Sequence, residues 1–322
     1  MKCLFHHFDS EFGGEASKVY YYPDDDESES NELKDSEDSK NPLDIAKKKF
    51  KENGKKVFRP SSSSTKSPEI VIVTNVDFEM FELSHLTKIV QNRVNYAHSN
   101  KYGVYVRWIQ EFTPSLQEFG NDSGWAKLFA MRAAMHAFPN AKYFWYVDQN
   151  SLILRNDIDL MSYILKPSSL GPIMLKEQPV LLPYGAIKTY KSVKPEDVSF
   201  IITQTTESLN SDSFILRNDV YGRGLLEFWS DPLFRKYPTF VNNVEAALTH
   251  LLQWHPVLLS KTSIVPARTI CSTHDANGLV LPGQEAYRYH DGDFVVDFKN
   301  CGKDFHCETL VDAFYKKMEA AK

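Results

Sequence analysis

Two alternating periodicities that begin after Pro68 limit most strongly what this chain can fold into. EIVIVTNVDF (69–78) is a β-branched run of the kind found in strands buried on both faces. LSHLTKIVQNRVNYAHSN (83–100) then repeats apolar residues at helical spacing, at Leu83, Leu86, Ile89, Val90, Val94 and Ala97. YGVYVRWIQEF (102–112) reads as a second strand, and GWAKLFAMRAAMHAF (124–138) as a helix stopped by Pro139-Asn140. KYFWYVDQNSLIL (142–154) reads as a third strand. Strands that alternate with helices predict an α/β domain with a mostly parallel sheet. Farther on, VSFIITQ (198–204) and SDSFILRND (211–219) read as two strands around a polar turn. VYGRGLLEFWSDPLF and VEAALTHLLQWHPVLL read as helices, the second broken by Pro256, with His250 and His255 as packing or capping residues.

The N-terminal region is different in kind. Residues 15–68 run from an acidic block to a basic one and then to a serine run, with too few apolar residues to offset the cost of ordering. The expected organisation is a stem or linker over 1–68, with a short helix allowed over 43–52, a domain over 69–310, and a tail over 311–322. The 322 residues are 42% hydrophobic, enough for a large core, and a net charge of −5 gives no basic footprint for nucleic acid. No stretch has the ~18–20 consecutive apolar residues of a membrane span. Cys301 and Cys307 are close enough in sequence to close a small loop, and two unpaired thiols fit equally well. The triplet Asn121-Asp122-Ser123 is a glycosylation sequon that permits a secretory location without showing one.

Polar residues inside apolar runs mark the candidate site. Asp148, Gln149 and Asn150 interrupt the third strand, and an unpaired buried carboxylate is costly enough to call for a partner or a metal. A strand whose polar residues simply emerge into solvent would look the same. In open α/β sheets ligands sit beyond the carboxyl ends of the strands. Asp148 falls near that end of the third strand, and Thr74, Asn75 and Asp77 near that end of the first. His290, Asp291 and Asp293 in YRYHDGDF either grip a metal or form an acidic turn. The chain has no P-loop, no Gly-x-Gly-x-x-Gly, no Cys-x-x-Cys and no Gly-x-Ser-x-Gly. An acidic strand end with a late His/Asp cluster suits a nucleotide-sugar site, where Mg²⁺ or Mn²⁺ neutralises a diphosphate.

IVQNRVNYAHSNKYGVYVRWIQEF, RAAMHAFPNAKYFWYVDQNSLIL, SDSFILRNDVYGRGLLEFWSDPL and HLLQWHPVLLSKTSIVPARTI together resemble the fungal α-1,6-mannosyltransferases of glycosyltransferase family 34, and within them subunits of the Golgi mannan polymerase II complex. The resemblance spans about residues 69–302. It implies a GT-A-type fold and retaining transfer of mannose from GDP-mannose into the α-1,6 mannan backbone of N-linked glycans. It also implies Mn²⁺ on the diphosphate, and other mannosyltransferase subunits as partners in a hetero-oligomeric complex. The location implied is the luminal side of the Golgi membrane, as a type II protein whose anchor is not in this chain. The resemblance further implies Asp148, Asn150 and His290 as metal ligands, Thr74, Asn75 and Tyr96 around the nucleotide, and Lys127 toward the diphosphate. Asn210, Ser213 and Asn218 would line the sugar side, with Asp148, Asn210 and Glu245 as the catalytic set.

Several positions depart from the family pattern. Asp-x-Asp reads Asp148-Gln149-Asn150, Leu-Asn-x-Gly-Ser-Phe reads LNSDSF with Asp212 for glycine, and a late histidine reads Asp297. Glu245 and Ala246 stand where relatives carry Gln-Asp. These departures keep two alternatives open: a non-catalytic or weakly active partner subunit, and an α-galactosyltransferase using UDP-galactose.

Overall fold

The computed structural model describes residues 68–275, 285–299, 301 and 307–320, together with positions 42 and 45. The expected stem therefore lies almost wholly outside the described residues. β1 (Ile70–Val76) sits between β2 (Gly103–Trp108) and β3 (Tyr143–Val147), both parallel to it. The long helix α1 (Leu83–Asn100) joins β1 to β2, and α2 (Ala126–Ala137) precedes β3. Parallel neighbours need such crossovers, whereas the short link from β5 (Phe200–Gln204) to β6 (Leu209–Arg217) makes an antiparallel hairpin. β6 also pairs antiparallel with β3, and β7 (Thr262–Ile264) lies parallel to β5. The sheet order is β2-β1-β3-β6-β5-β7, with β6 alone running against the rest.

Period-two alternation divides the core between the faces of this sheet. Val71, Val73, Phe144, Tyr146, Phe200, Ile202 and Phe214 face α2, α3 (Val220–Trp229) and α4 (Val244–Trp254). Ile70, Ile72, Trp145, Val147, Ile201 and Ile215 face α1 and the 160–170 region. Trp145 is fully buried, stacked on Phe294 at 5.5 Å and edge-on to Tyr96 at 5.7 Å. His255 stacks on Phe228 and His250 packs among Phe234, Phe240 and Trp254, in line with packing roles.

Two sequence expectations need correction. KYFWYVDQNSLIL is not one strand: β3 ends at Val147, and Ser151–Ile153 forms β4 in a second, three-stranded sheet. There β4 pairs antiparallel with β9 (Val295–Lys299), which runs parallel to β8 (Ser272–Asp275). The apolar run is continuous because both halves are buried, so composition alone does not reveal the change of sheet. Likewise 311–322 is not all tail. Helix α5 (Cys307–Ala320) crosses that boundary, and its Val311 and Phe314 are buried against Ile89, Leu152, Val296 and Phe298. Cys301 and Cys307 are joined, which ties β9 to the start of α5; Cys271 is a buried free thiol.

Among the described residues no helix is long and apolar enough to cross a membrane. The sequon asparagine, Asn121, spends its amide N–H groups on Arg235 O at 2.7 Å and Val241 O at 3.0 Å.

Candidate functional site

The carboxyl ends of β1 and β3 and the start of β6 meet at one sheet edge, because β6 enters where its parallel neighbours finish. The polar clusters expected to converge there do so. Thr74 Oγ1 donates to Val147 O at 2.5 Å, and the Asp77 backbone N–H donates to Gln149 Oε1 at 2.8 Å. The Asp148–Asn150 triplet is the junction between the two sheets. The Asp148 N–H donates to Asp212 O at 2.8 Å and extends the β3–β6 ladder, while Asn150 O accepts from Phe298 N–H at 2.9 Å and opens the β4–β9 ladder.

Asp148 is held from four directions. Its Oδ1 accepts from the Asn150 N–H at 3.0 Å and its Oδ2 from the Tyr146 hydroxyl at 3.1 Å. Its carbonyl oxygen accepts from Arg93 Nη2 at 2.6 Å. Arg93 is fully buried on α1, and burial lowers its guanidinium to about 10. Burial first, and then the neighbouring Asp212, raise the Asp148 carboxyl above its ordinary range, against the pull of Lys127.

Beside Asp148 five charged side chains form a row of alternating sign: Glu245, Lys127, Asp212, Lys299 and Asp297. Lys127 Nζ lies 3.7 Å from Glu245 Oε1 and 3.2 Å from Asp212 Oδ1, and donates to Ser211 Oγ at 2.8 Å. The Ser211 hydroxyl in turn donates to Glu245. Lys299 donates to Asp212 Oδ2 and stands 3.0 Å from Asp297 Oδ2, and Asp297 Oδ1 accepts from the Ser151 hydroxyl at 2.9 Å. Burial alone would raise Asp212, but Lys299 and Lys127 hold it well below the usual carboxylate range. The two ammonium groups are held up by these carboxylates in spite of burial.

Asp297 behaves oppositely. Burial, helped by Asp212 and Asp148 and resisted by Lys299, pushes its carboxyl up to about 6. A carboxyl whose folded value lies above its unfolded one contributes stability that is present below about pH 4 and lost as pH rises through about 6. Asp297→Asn should therefore flatten the dependence of Tm on pH between 4 and 6. The parent should lose ground to the variant as pH rises through that window, read by melting both proteins at half-unit steps.

The resemblance-implied residues divide into two groups. Lys127 pairs with Glu245 at this sheet edge, and Asp148 lies within electrostatic reach of Lys127. Asn210 supports the edge from β6, where its Oδ1 accepts from the Asp212 N–H at 3.0 Å and its Nδ2 faces Cys271 Sγ at 3.3 Å. Thr74 and Asn75 lie at the end of β1 beside it, and both amide atoms of Asn75 are buried without a hydrogen-bond partner, as is Asn150 Oδ1.

Four residues are placed elsewhere. Tyr96 is a core residue whose hydroxyl donates to Ile158 O at 2.8 Å. Ser213 is fully buried and accepts from Trp145 Nε1 at 2.9 Å. Asn218 lies past the far end of β6, donates to Pro139 O and Ala141 O, and lines a separate cavity of about 430 Å³ with Lys142, Tyr143 and Arg217. His290 is exposed on a turn where its backbone N–H donates to Asp293 Oδ2 at 2.9 Å, and Asp293 is tied to Arg268 at 2.7 Å.

Arg93, Ser211 and Lys299 were missed as site residues by the sequence reading. Lys299 left a signal: Asp297 and Lys299 share one face of a buried strand, where charges two residues apart call for a common partner. Arg93 left one too, as a cation on the apolar stripe of α1.

An α/β domain with a cluster of charged side chains at the carboxyl edge of its sheet carries them where ligands of such sheets bind. The sequence model of the galactosyl transferase GMA12/MNN10 family matches residues 66–308, and the chain belongs to that family of glycosyltransferases. It is 38% identical over 305 residues to a probable α-1,6-mannosyltransferase of Saccharomyces cerevisiae, MNN11, covering 90% of this chain and 71% of that one. It is 28% identical over 237 residues to an uncharacterised α-1,2-galactosyltransferase of Schizosaccharomyces pombe, C1289.13c, covering 72% of this chain and 60% of the relative. Among solved structures it is similar to a glycosyltransferase involved in glycosylation of the major capsid of PBCV-1 (TM-score 0.44, 10% identity, 79% of this chain and 100% of that one). It is also similar to the galactosyltransferase LgtC bound to donor and acceptor sugar analogues (TM-score 0.36, 7% identity, 76% and 95%).

Proposed function

We propose that this chain is a retaining α-1,6-mannosyltransferase that moves mannose from GDP-mannose onto the mannan backbone of N-linked glycans. The observation that carries this reading is its 38% identity, across 90% of its length, to a probable α-1,6-mannosyltransferase. The cleft supports it: Asp148, Asn75 and Lys127 face the edge where a donor would lie. Lys127 offers a fixed positive charge toward a departing diphosphate, where preorganised charge acts most strongly. In a retaining transfer the leaving diphosphate can itself take the acceptor hydroxyl's proton, so Glu245 is free to orient Lys127 and Ser211 instead of acting as a base. The setting proposed is the luminal face of the Golgi membrane, within a complex of mannosyltransferase subunits.

The Mn²⁺ that the resemblance implies meets only part of a ligand set here. Asp148 and the unpartnered Asn150 Oδ1 adjoin each other. Among the described residues no three His, Cys, Asp or Glu side chains are arranged to hold a metal ion, and His290 lies on its own exposed turn.

One observation favours a second reading, a partner subunit with little activity of its own: Glu245, Asp212 and Asp297 are each already paired with an ammonium group. The test is transfer by the purified chain to an α-1,6-linked oligomannose acceptor, with GDP-mannose and UDP-galactose compared and the product linkage determined. Mannosyl product in α-1,6 linkage is expected. Galactosyl product would replace the donor assignment, and no product with either donor would leave the partner reading.

A further inference from the structure

Lys299 is a charged group of the site to which the proposed transfer gives no role. Two carboxylates flank its ammonium, Asp212 from within β6 and Asp297 from within β9. Asp148, just past the end of β3, is close enough to influence the ionisation of both. Convergent carboxylate oxygens are the ligands of hard divalent ions. Here the convergence is centred on an ammonium instead. Lys299 Nζ bonds Asp212 Oδ2 and sits 3.0 Å from Asp297 Oδ2, whose side chain is only 2% exposed. A carboxylate that deep requires a counterion.

The remaining oxygens are also engaged. Asp212 Oδ1 faces Lys127 at 3.2 Å, and Asp297 Oδ1 accepts from Ser151. Asp148 takes the Asn150 N–H and the Tyr146 hydroxyl. A metal ion entering this cluster would have to displace an ammonium tethered to β9, which competes at the high effective concentration of an intramolecular group. The Lys299 side chain is 36% exposed, so its stem reaches the surface beside the carboxylates that its ammonium pairs.

We propose that the Lys299 ammonium holds the place of a divalent cation in this chain and, with Lys127, is the positive charge that meets a nucleoside diphosphate. The diphosphate half rests on reading the cleft as a donor site; the cation half does not.

The experiment uses Mn²⁺ and GDP as probes on the intact chain. Mn²⁺ uptake is followed by loss of the free-ion paramagnetic signal, and GDP binding by calorimetry in chelator and in excess Mn²⁺. The parent should take up no stoichiometric Mn²⁺ and bind GDP with affinities within about twofold in the two conditions. Lys299→Met should take up one Mn²⁺, lose about tenfold or more in GDP affinity in chelator, and regain it with Mn²⁺. Lys299→Arg, which keeps the charge, should behave as the parent.

One-to-one Mn²⁺ binding by the parent, or Mn²⁺ uptake by neither protein, overturns the proposal. If the Met variant does not fold, the parent titration and Lys299→Arg decide, since a metal requirement in either overturns it. Absence of GDP binding under every condition removes the donor reading, while the Mn²⁺ titrations still decide the place of Lys299.

Discussion

Asp148→Asn should cut mannosyl transfer from GDP-mannose by about 100-fold or more while leaving the chain at least as heat-stable as the parent. The two halves of that result have one cause. Asp148 is a buried carboxyl whose ionised form is opposed by burial and by Asp212. An amide of the same shape removes that opposition; its oxygen can accept from the Asn150 N–H, and its NH2 group can donate to the Tyr146 hydroxyl, reversing that bond. The backbone bonds to Arg93 and Asp212 do not involve the side chain and persist. A group kept against its electrostatic cost is the mark of a functional position. Parallel melting and transfer assays check this; a variant that melts well below the parent would make Asp148 a structural residue.

Trp145→Ala should have the largest effect on folding. The ring is fully buried between Phe294 and Tyr96, and its indole N–H supplies the hydrogen bond to Ser213 Oγ. Removing it leaves a large cavity and an unpartnered hydroxyl, at a cost of about 3–5 kcal/mol. Domains of this kind hold a total of about 5–15 kcal/mol, so the variant should unfold at much lower denaturant or fail to accumulate. Trp145→Phe should recover most of the loss, because it restores the stacking on Phe294 but not the hydrogen bond. Urea titrations of both variants measure the two contributions separately.

The sequence carried more of the fold than of the site. Helix α1 was legible because apolar positions from Leu83 to Ala97 keep helical spacing; in the structure a left-handed Lys101 ends it. Strand β1 was legible from its β-branched run. What local pattern could not carry was long-range pairing. Val147 and Leu152 are equally apolar, and nothing local tells that one belongs to the large sheet and the other to the small one.

The site shows the same limit. Asp148 was visible as a polar break in an apolar run. Its relation to Lys299, 151 positions later, depends on β9 packing against β4. Tyr96, Ser213 and Asn218 came from the resemblance and have local structural duties in this chain: a core hydroxyl on a carbonyl, an acceptor for an indole, and a bridge to the end of α2.

The junction at Asp148–Asn150 also orders the chain's assembly in time. All six strands of the large sheet, through Ile264, are synthesised before Val295. A nascent chain can therefore complete that sheet, with Asp148, Lys127, Asp212 and Glu245 already at its edge, while Lys299 and Asp297 are still unmade. During that interval Asp212 has only Lys127 as counterion, and β4 has no partner strand to pair with. The cleft reaches its charge balance only when β9 joins β4, and the Cys301–Cys307 link then fastens β9 to a helix that packs on α1. The charge balance of the site thus depends on a strand made after the sheet that carries it, and the Cys301–Cys307 link secures that strand.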